Sequence, residues 1–121
     1  TFGGYPLASV VGTYAIKVLV DKKLADNARI RGAQLISHYE EIMDEFPDKI
    51  KEVRGKGLLT AFEMHNNSHL DGHKVSVELL NRGVYAKETH HSTVRIAPAL
   101  TIEAWQIDNI SEQIRSVIKS L

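Results

Sequence analysis

The apolar residues of this chain change their spacing at Pro47, and that change limits the folds open to it. Before Pro47 they recur every three or four residues, from Leu7 to Leu19 and again from Leu24 to Phe46, as on one face of a helix. After Pro47 they alternate or form short blocks, which is typical of strands. Because proline cannot continue a helical hydrogen-bond ladder, the second helix is expected to end at about Phe46.

The segments after Pro47 predict four strands and two further helices. Their order with the first two helices is helix, helix, strand, strand, helix, strand, strand, helix. This order predicts an α+β domain, with helices packed on one face of a small, mostly antiparallel sheet. We expect a short strand near Val53, a glycine turn or bulge at Gly55 and Gly57, and a longer strand to Met64. The third helix should be capped by Asp71 and ended by Gly83, and two strands should follow it, one over Val84 to Lys87 and one ending at about Ala97. The last helix should be capped by Thr101, with Leu100 and Trp105 as a hydrophobic staple.

The composition predicts one compact globular unit. The chain has 121 residues, of which 43% are hydrophobic and 25% charged, and its 15 basic and 15 acidic residues cancel. Without a basic excess or a basic amphipathic helix, neither a nucleic acid nor a membrane surface is an expected partner. The chain contains no cysteine, which excludes disulfides, thiolate nucleophiles and thiolate metal sites within it.

The start of the chain is consistent with a cut inside a longer protein. It begins at Thr1 without methionine and enters a glycine turn at once. No apolar run is long enough to span a bilayer, and no segment has the pattern of a signal peptide, so the protein is expected to be soluble. Nothing in the sequence chooses between the cytoplasm and the mitochondrial matrix.

Arg95 is the first candidate functional residue. Side chains alternate between the two faces of a strand, so Arg95 faces away from a core that takes Val94 and Ile96. Pro98 should end this strand, which places the guanidinium near a strand end on a fixed backbone. A guanidinium binds a planar carboxylate through two parallel hydrogen bonds. A solvated arginine or a surface ion pair explains the same spacing.

The other chemical patterns are weaker. The segment from Arg54 to Gly57 has glycines and cations suited to an anion-binding loop, but it lacks the full P-loop pattern, and a bulge that turns a strand explains it better. His65, His69 and His73 are spaced by four, yet the polar residues and glycine between them argue against a helix that would align them, so we assign no metal site. The remaining candidates are His90 and His91, which titrate near neutrality but lie in a predicted connector.

Three segments together resemble a known family. They are TFGGYPLAS, VRGKGLL and YAKETHHSTVRIAPAL, and their order and extent are similar to the carboxy-terminal part of the class III pyridoxal-phosphate aminotransferases. Within that family the chain is most similar to the members that act on ornithine. The resemblance implies the small carboxy-terminal domain of a fold type I transferase, at residues 23–121. It also implies a cofactor-phosphate turn and an interdomain helix at residues 1–22, with the large cofactor domain absent.

The resemblance implies roles for two residues. Arg95 matches the family's arginine that receives a substrate carboxylate, from glutamate or 2-oxoglutarate. Thr1 matches the threonine that contacts the phosphate of pyridoxal 5'-phosphate in the neighbouring subunit of a homodimer. The implied reaction moves the δ-amino group of ornithine to 2-oxoglutarate and gives glutamate 5-semialdehyde and glutamate.

The chain also departs from the family pattern. Tyr5 stands where the family usually has asparagine, and Ala99 where a second proline is common. Lys56 and Lys87 do not match the family's Schiff-base lysine, so no catalytic residue is assigned and the chain alone is expected to be inactive. The alternatives are a member acting on acetylornithine or 4-aminobutyrate, a free-standing amino-acid-binding regulatory module, and a histidine metal-binding domain.

Overall fold

The computed structural model describes residues 1–65 and 71–121, and it has the predicted order of elements. The first helix begins at Pro6 and the second at Leu24, both close to their predicted starts. The second helix ends at Glu45, one residue before the expected Phe46. The elements are α1 (Pro6–Asp21), α2 (Leu24–Glu45), β1 (Ile50–Lys56), β2 (Leu59–Met64), α3 (Gly72–Asn81), β3 (Lys87–Thr89), β4 (Thr93–Ile96) and α4 (Ala104–Ser120).

The strands form one antiparallel sheet in the order β1-β2-β4-β3. Helices α2 and α3 pack on the sheet, and α4 packs on α2 and α3. The α+β prediction is therefore confirmed. The other face of the sheet carries no described helix, and we call it the open face. Among the described helices, none combines the length and apolar character needed to cross a bilayer.

The core lies between the sheet and helices α2, α3 and α4. Tyr39 and Phe62 meet edge to face, with ring centroids 5.5 Å apart. The hydroxyl of Tyr39 lies 3.3 Å from Oγ1 of Thr60, which donates to the carbonyl of Ile96 at 2.9 Å, and burial raises the pKa of Tyr39. Other fully buried members are Leu35, Ile42, Met64, Val75, Leu79, Val94, Ile107, Ile114, Val117 and Ile118.

Helix α1 stands apart from this core. It has no buried residue and packs only on α2 among the described elements. The helical spacing of its apolar residues predicts a buried face, but these positions remain exposed here. They are Leu7, Val10, Val11, Tyr14, Ile16, Leu19 and Val20. Its apolar positions are thus not covered by residues 1–65 and 71–121.

The predicted strands differ from the structure in two respects. The strand expected over Val84 to Lys87 lies at Lys87–Thr89 instead. Val84 and Ala86 are buried and Tyr85 is exposed, so the alternation is present. However, β4 stops before Pro98, which has no N–H to donate, so no ladder partner remains for the residues before Ala86. The expected lengths of β1 and β2 were also reversed, since β1 has 7 residues and β2 has 6.

The cap of the last helix was predicted wrongly. Glu103, not Thr101, caps α4, in a capping box with Gln106. The Asn27 side chain donates to the carbonyls of Leu100 and Ile102, at 2.7 and 3.0 Å, and holds this segment outside the helix. The proposed staple is absent because its two side chains remain exposed. Leu100 is 40% and Trp105 63% accessible.

Candidate functional site

Arg95 lies where the sequence places it. Val94 and Ile96 are buried in the core, while Arg95 is exposed on the open face. The strand ends at Ile96, one residue before the expected Ala97. Among residues 1–65 and 71–121, Arg95 makes no ion pair, so its guanidinium is available to a ligand.

The register of the sheet places further cations beside Arg95. Ala61 is the partner of Arg54 on one side and of Arg95 on the other, and Arg95 is also the partner of Lys87. Arg54, Ala61, Arg95 and Lys87 therefore form a row across all four strands, with neighbouring strands about 4.8 Å apart. Three of the four residues are cationic, and the fourth contributes only a methyl group.

A groove on the open face joins part of this row to the β1–β2 turn. It has a volume of about 340 Å³. Its two arginines, Arg54 and Arg95, come from strands separated by β2. Such a concave surface with convergent donors suits an anionic small molecule. The lining residues are Arg54, Gly55, Lys56, Leu59, Thr60, Ala61 and Arg95.

Glu63 organises the cations on one side of the groove. Its two carboxylate oxygens accept hydrogen bonds from Nζ of Lys51 at 2.7 Å and from Nη1 of Arg54 at 2.9 Å. These two hydrogen bonds, first that from Lys51 and then that from Arg54, lower the pKa of Glu63. Arg54 also lies 3.4 Å from Glu52, and its Nη2 reaches Oγ1 of Thr93 at 3.5 Å.

Acid is expected to weaken the pairing of β1 with β2 through Glu63. Its folded pKa lies below its ordinary value of 4.5, so its ion pairs stabilise the fold fully above about pH 4.5. That contribution is lost as the pH falls below 4.5 and through the folded pKa. Between about pH 6 and pH 3, the melting temperature of Glu63→Gln should fall less than that of the wild type. Glu40→Gln, at an exposed position of α2, is the charge-matched control. Equal acid sensitivity of the wild type and Glu63→Gln would contradict this expectation.

The segment from Arg54 to Gly57 ends β1 and enters a hairpin turn, so the bulge preferred for it was wrong. Lys56 pairs with Leu59 across a two-residue loop, and Gly57 has a φ of 57°. A Cβ on Gly55 would lie 2.8 Å from the carbonyl oxygen of Leu59, so this position excludes larger residues. The register irregularity lies between Ile50 and Glu52 and not at the glycines. The turn brings Lys56 to the groove.

Thr1 directly precedes a turn, Phe2 to Tyr5, that leads into α1. The N–H of Tyr5 donates to the carbonyl of Phe2 at 3.2 Å, and Gly4 has a φ of 80° that only glycine adopts easily. Tyr5 provides no side-chain cap, and the first turn of α1 has no acidic residue. The helix N-terminus and the exposed Thr1 hydroxyl are therefore chemically suited to a phosphate group.

Two of the candidate histidines, His73 and His91, approach one carboxylate, that of Glu88, with Nδ1 lying 3.3 and 3.9 Å from its oxygens. His90 and His91 form the exposed β3–β4 turn, with φ values of 53° and 62°. His65 follows β2, His73 lies in the first turn of α3, and His69 lies outside the described residues. Within the described ranges, no group of three or more potential ligands is arranged for a metal ion.

Sequence reasoning identified Arg95 but did not assign Arg54 and Glu63 to its surroundings. Arg54, Glu63 and Arg95 lie on the same face of the sheet because β1 pairs with β2 and β2 pairs with β4. A signal was present, because Arg54 and Lys56 share one face of a strand and Ala61 and Glu63 share one face of the next. It becomes informative only when the register is known.

The chain belongs to the class-III aminotransferase family, whose model matches residues 1–118. The mitochondrial ornithine aminotransferase of Arabidopsis thaliana is 38% identical over 121 residues, covering 98% of this chain and 26% of the plant protein. The structure is similar to the acetylornithine aminotransferase of Elizabethkingia anophelis, with a TM-score of 0.88, 32% identity and coverage of 96% of this chain and 29% of that one.

A further similar structure connects the family with its cofactor. The ornithine aminotransferase of Toxoplasma gondii has a TM-score of 0.86 and 32% identity, covering 95% of this chain and 27% of that one. It was crystallised with partial occupancy of pyridoxal phosphate at its active site. Class III aminotransferases use this cofactor. The chain thus spans little more than a quarter of the relatives that it matches.

Proposed function

We propose that this chain is the carboxy-terminal part of an ornithine aminotransferase. The complete enzyme would move the δ-amino group of ornithine to 2-oxoglutarate, giving glutamate 5-semialdehyde and glutamate. The observation that carries the proposal is Arg95, which is exposed in a basic groove without an ion pair among the described residues. Family membership and the similarity to ornithine aminotransferases support it.

In this proposal, Arg95 receives a carboxylate of the amino-acid or oxo-acid substrate. The guanidinium has parallel N–H groups that match the two oxygens of a carboxylate, which the single ammonium of a lysine does not. The strand holds the Arg95 backbone between β2 and β3, so its side chain starts from a fixed point. This rigidity reduces the entropy lost when the substrate is bound.

Thr1 would contact the phosphate of pyridoxal 5'-phosphate bound in the neighbouring subunit of a homodimer. Its exposed hydroxyl and the uncapped start of α1 support this role. The cofactor, when bound, supplies the electron sink for amino transfer, and the protein positions it. Residues 1–22 would form this contact and the interdomain helix, and residues 23–121 the small domain. The exposed apolar positions of α1 are consistent with such a helix.

The lysine that holds the cofactor would lie outside these residues. Lys56 borders the groove and Lys87 extends the row of cations, and neither matches the family's lysine motif. We therefore expect the 121 residues alone to lack aminotransferase activity. The small-molecule partners of the complete enzyme would be amino acids and 2-oxo acids.

The full-length gene product tests this proposal. Borohydride reduction, which fixes the cofactor to its lysine, should give an adduct on a lysine outside residues 1–121. With 2-oxoglutarate as acceptor, glutamate should form at least about tenfold more efficiently from ornithine than from acetylornithine or 4-aminobutyrate. A gene product of 13.5 kDa without an adduct would favour the regulatory module instead.

An acetylornithine aminotransferase is the second candidate. The similarity to the Elizabethkingia anophelis enzyme, with its TM-score of 0.88, favours it on fold alone. The donor comparison separates the two candidates, since a preference for acetylornithine would keep the family and change the substrate.

A further inference from the structure

Two buried hydroxyl groups lie beneath the end of the strand that carries Arg95. Oγ1 of Thr60 donates a hydrogen bond to the carbonyl oxygen of Ile96 at 2.9 Å. The hydroxyl of Tyr39 lies 3.3 Å from the same Oγ1. Thr60 and Tyr39 are each only 1% exposed, so these contacts are closed to bulk water. The two hydroxyl groups therefore form a short hydrogen-bonded chain that ends on the residue after Arg95.

The direction of the hydrogen bonds in this chain follows from the number of donors. A threonine hydroxyl has one proton, and a carbonyl can only accept, so Thr60 directs its proton to Ile96. Tyr39 must then donate to Thr60. Burial raises the pKa of Tyr39, so its hydroxyl keeps the proton throughout the neutral range. Each donor also polarises the next, which strengthens a buried chain of this kind.

The sheet supports the end of β4 on one side. In the register of the described strands, Arg95 is the last residue of β4 with a partner on β3, and Ile96 pairs with Thr60 of β2 alone. The strand stops at Ile96, and Pro98 has no N–H with which to continue a ladder. The hydroxyl of Thr60 thus adds a hydrogen bond at the point where the chain leaves the sheet, one residue after Arg95.

The hydroxyl chain and the guanidinium lie on opposite faces of the sheet. Thr60 and Ile96 are buried with Tyr39, while Arg95 projects from the open face. The Thr60 hydroxyl, bonded on the buried face, is therefore not available to a ligand in the groove. It acts on Arg95 through the backbone, because it restrains the residue that follows Arg95 and so the point from which the arginine side chain starts.

We propose that Thr60, supported by Tyr39, is a positioning residue for Arg95, whose hydroxyl fixes the end of β4 so that the guanidinium meets a substrate carboxylate in one geometry. The inference rests on the proposed function, because it assumes that Arg95 receives that carboxylate. If the two hydroxyl groups only stabilise the core, as paired buried hydroxyls generally do, their removal would lower stability without weakening the contact with the substrate.

The test removes the Thr60 hydroxyl while nearly keeping the shape of the side chain, in the full-length holoenzyme. Thr60→Val should lower kcat/KM for 2-oxoglutarate about tenfold, mainly through KM, at a temperature where every variant is folded. Thr60→Ser keeps the hydroxyl and loses only a methyl group, so its kcat/KM should stay within about twofold of the wild type. Tyr39→Phe keeps the ring and removes the second hydroxyl, and we expect a loss of about threefold.

Ser111→Ala is the matched control. Ser111 is also buried, at 5% exposure, and its Oγ donates to the carbonyl of Ile107 at 2.8 Å. This hydrogen bond lies within α4, which packs on α2 and α3. Its removal should leave kcat/KM for 2-oxoglutarate within about twofold of the wild type, whatever its effect on the melting temperature.

A double substitution shows whether Thr60 acts through Arg95. In the Arg95→Gln background, Thr60→Val should reduce kcat/KM by less than about twofold further, because the contact that it positions is already lost. A similar loss from Thr60→Val in both backgrounds would mean that Thr60 affects the enzyme independently of Arg95, and it would overturn the inference.

The remaining outcomes separate the two proposals. Equal kinetics of Thr60→Val and Thr60→Ser, or of Thr60→Val and the wild type, would overturn the positioning role and leave the proposed function intact. If Thr60→Val does not fold, Tyr39→Phe carries the test in the same two backgrounds, and wild-type kinetics there overturns the inference. If Arg95→Gln alone keeps wild-type kinetics, the role of Arg95 in the proposed function fails, and the positioning role of Thr60 fails with it.

Discussion

Replacing Gly32 with alanine is expected to lower the free energy of unfolding by about 3 kcal/mol. Gly32 is buried on α2, where the helix meets the β1–β2 turn. A Cβ there would overlap the carbonyl group of Gly57 and lie 2.8 Å from its Cα. Because the obstacle is backbone, no side-chain rotation relieves it. The gain of about 1 kcal/mol in helix propensity would be smaller than this loss.

Urea unfolding of the full-length protein measures this effect, and hydrogen exchange shows where it acts. Exchange should increase in peptides from Leu24–Glu45 and Ile50–Lys56, which the contact joins. Ser37→Ala, on the exposed side of the same helix, should change stability by less than about 0.5 kcal/mol. Unchanged or increased stability of Gly32→Ala would show that helix and turn do not meet this closely.

Replacing Arg95 with glutamine should reduce kcat/KM for 2-oxoglutarate by about 10- to 100-fold in the full-length enzyme. This range corresponds to the loss of a charged hydrogen-bonded contact, about 1.5 to 3 kcal/mol. Glutamine keeps a polar side chain at an exposed position, so folding should be unaffected. The kcat/KM of Arg95→Lys should lie between those of the wild type and Arg95→Gln, because lysine keeps the charge but loses the paired donors.

Steady-state kinetics of both half-reactions is the appropriate measurement, with melting temperature as a check on folding. Arg29→Gln, an exposed arginine on α2, is the control and should retain wild-type kinetics. If both half-reactions keep wild-type constants in Arg95→Gln, Arg95 does not contact a substrate. That result would not change the description of the fold or the membership of the family.

The order of elements was predictable because each depends on residues close in the chain. Helical spacing up to Phe46, the Asp71 cap and the Gly83 stop are local signals, and the structure follows them. Asp71 accepts a hydrogen bond from the N–H of His73 at 2.9 Å, as a capping residue should. The start of α4 also has a local signal, the capping box of Glu103 with Gln106, which the choice of Thr101 missed, while the distant Asn27 holds Leu100 and Ile102.

The candidate site was predictable only in part, because contacts between distant segments bring some of its residues together. Strand alternation is a local property, so the sequence was enough to show that Arg95 faces away from the core. The residues beside Arg95 depend on the pairing of distant strands. Pairing of β2 with both β1 and β4 brings Arg54 to Arg95, which is 41 residues later, and the Gly32 contact seats the hairpin on α2. Such neighbours depend on register and on close backbone packing, which no single segment encodes.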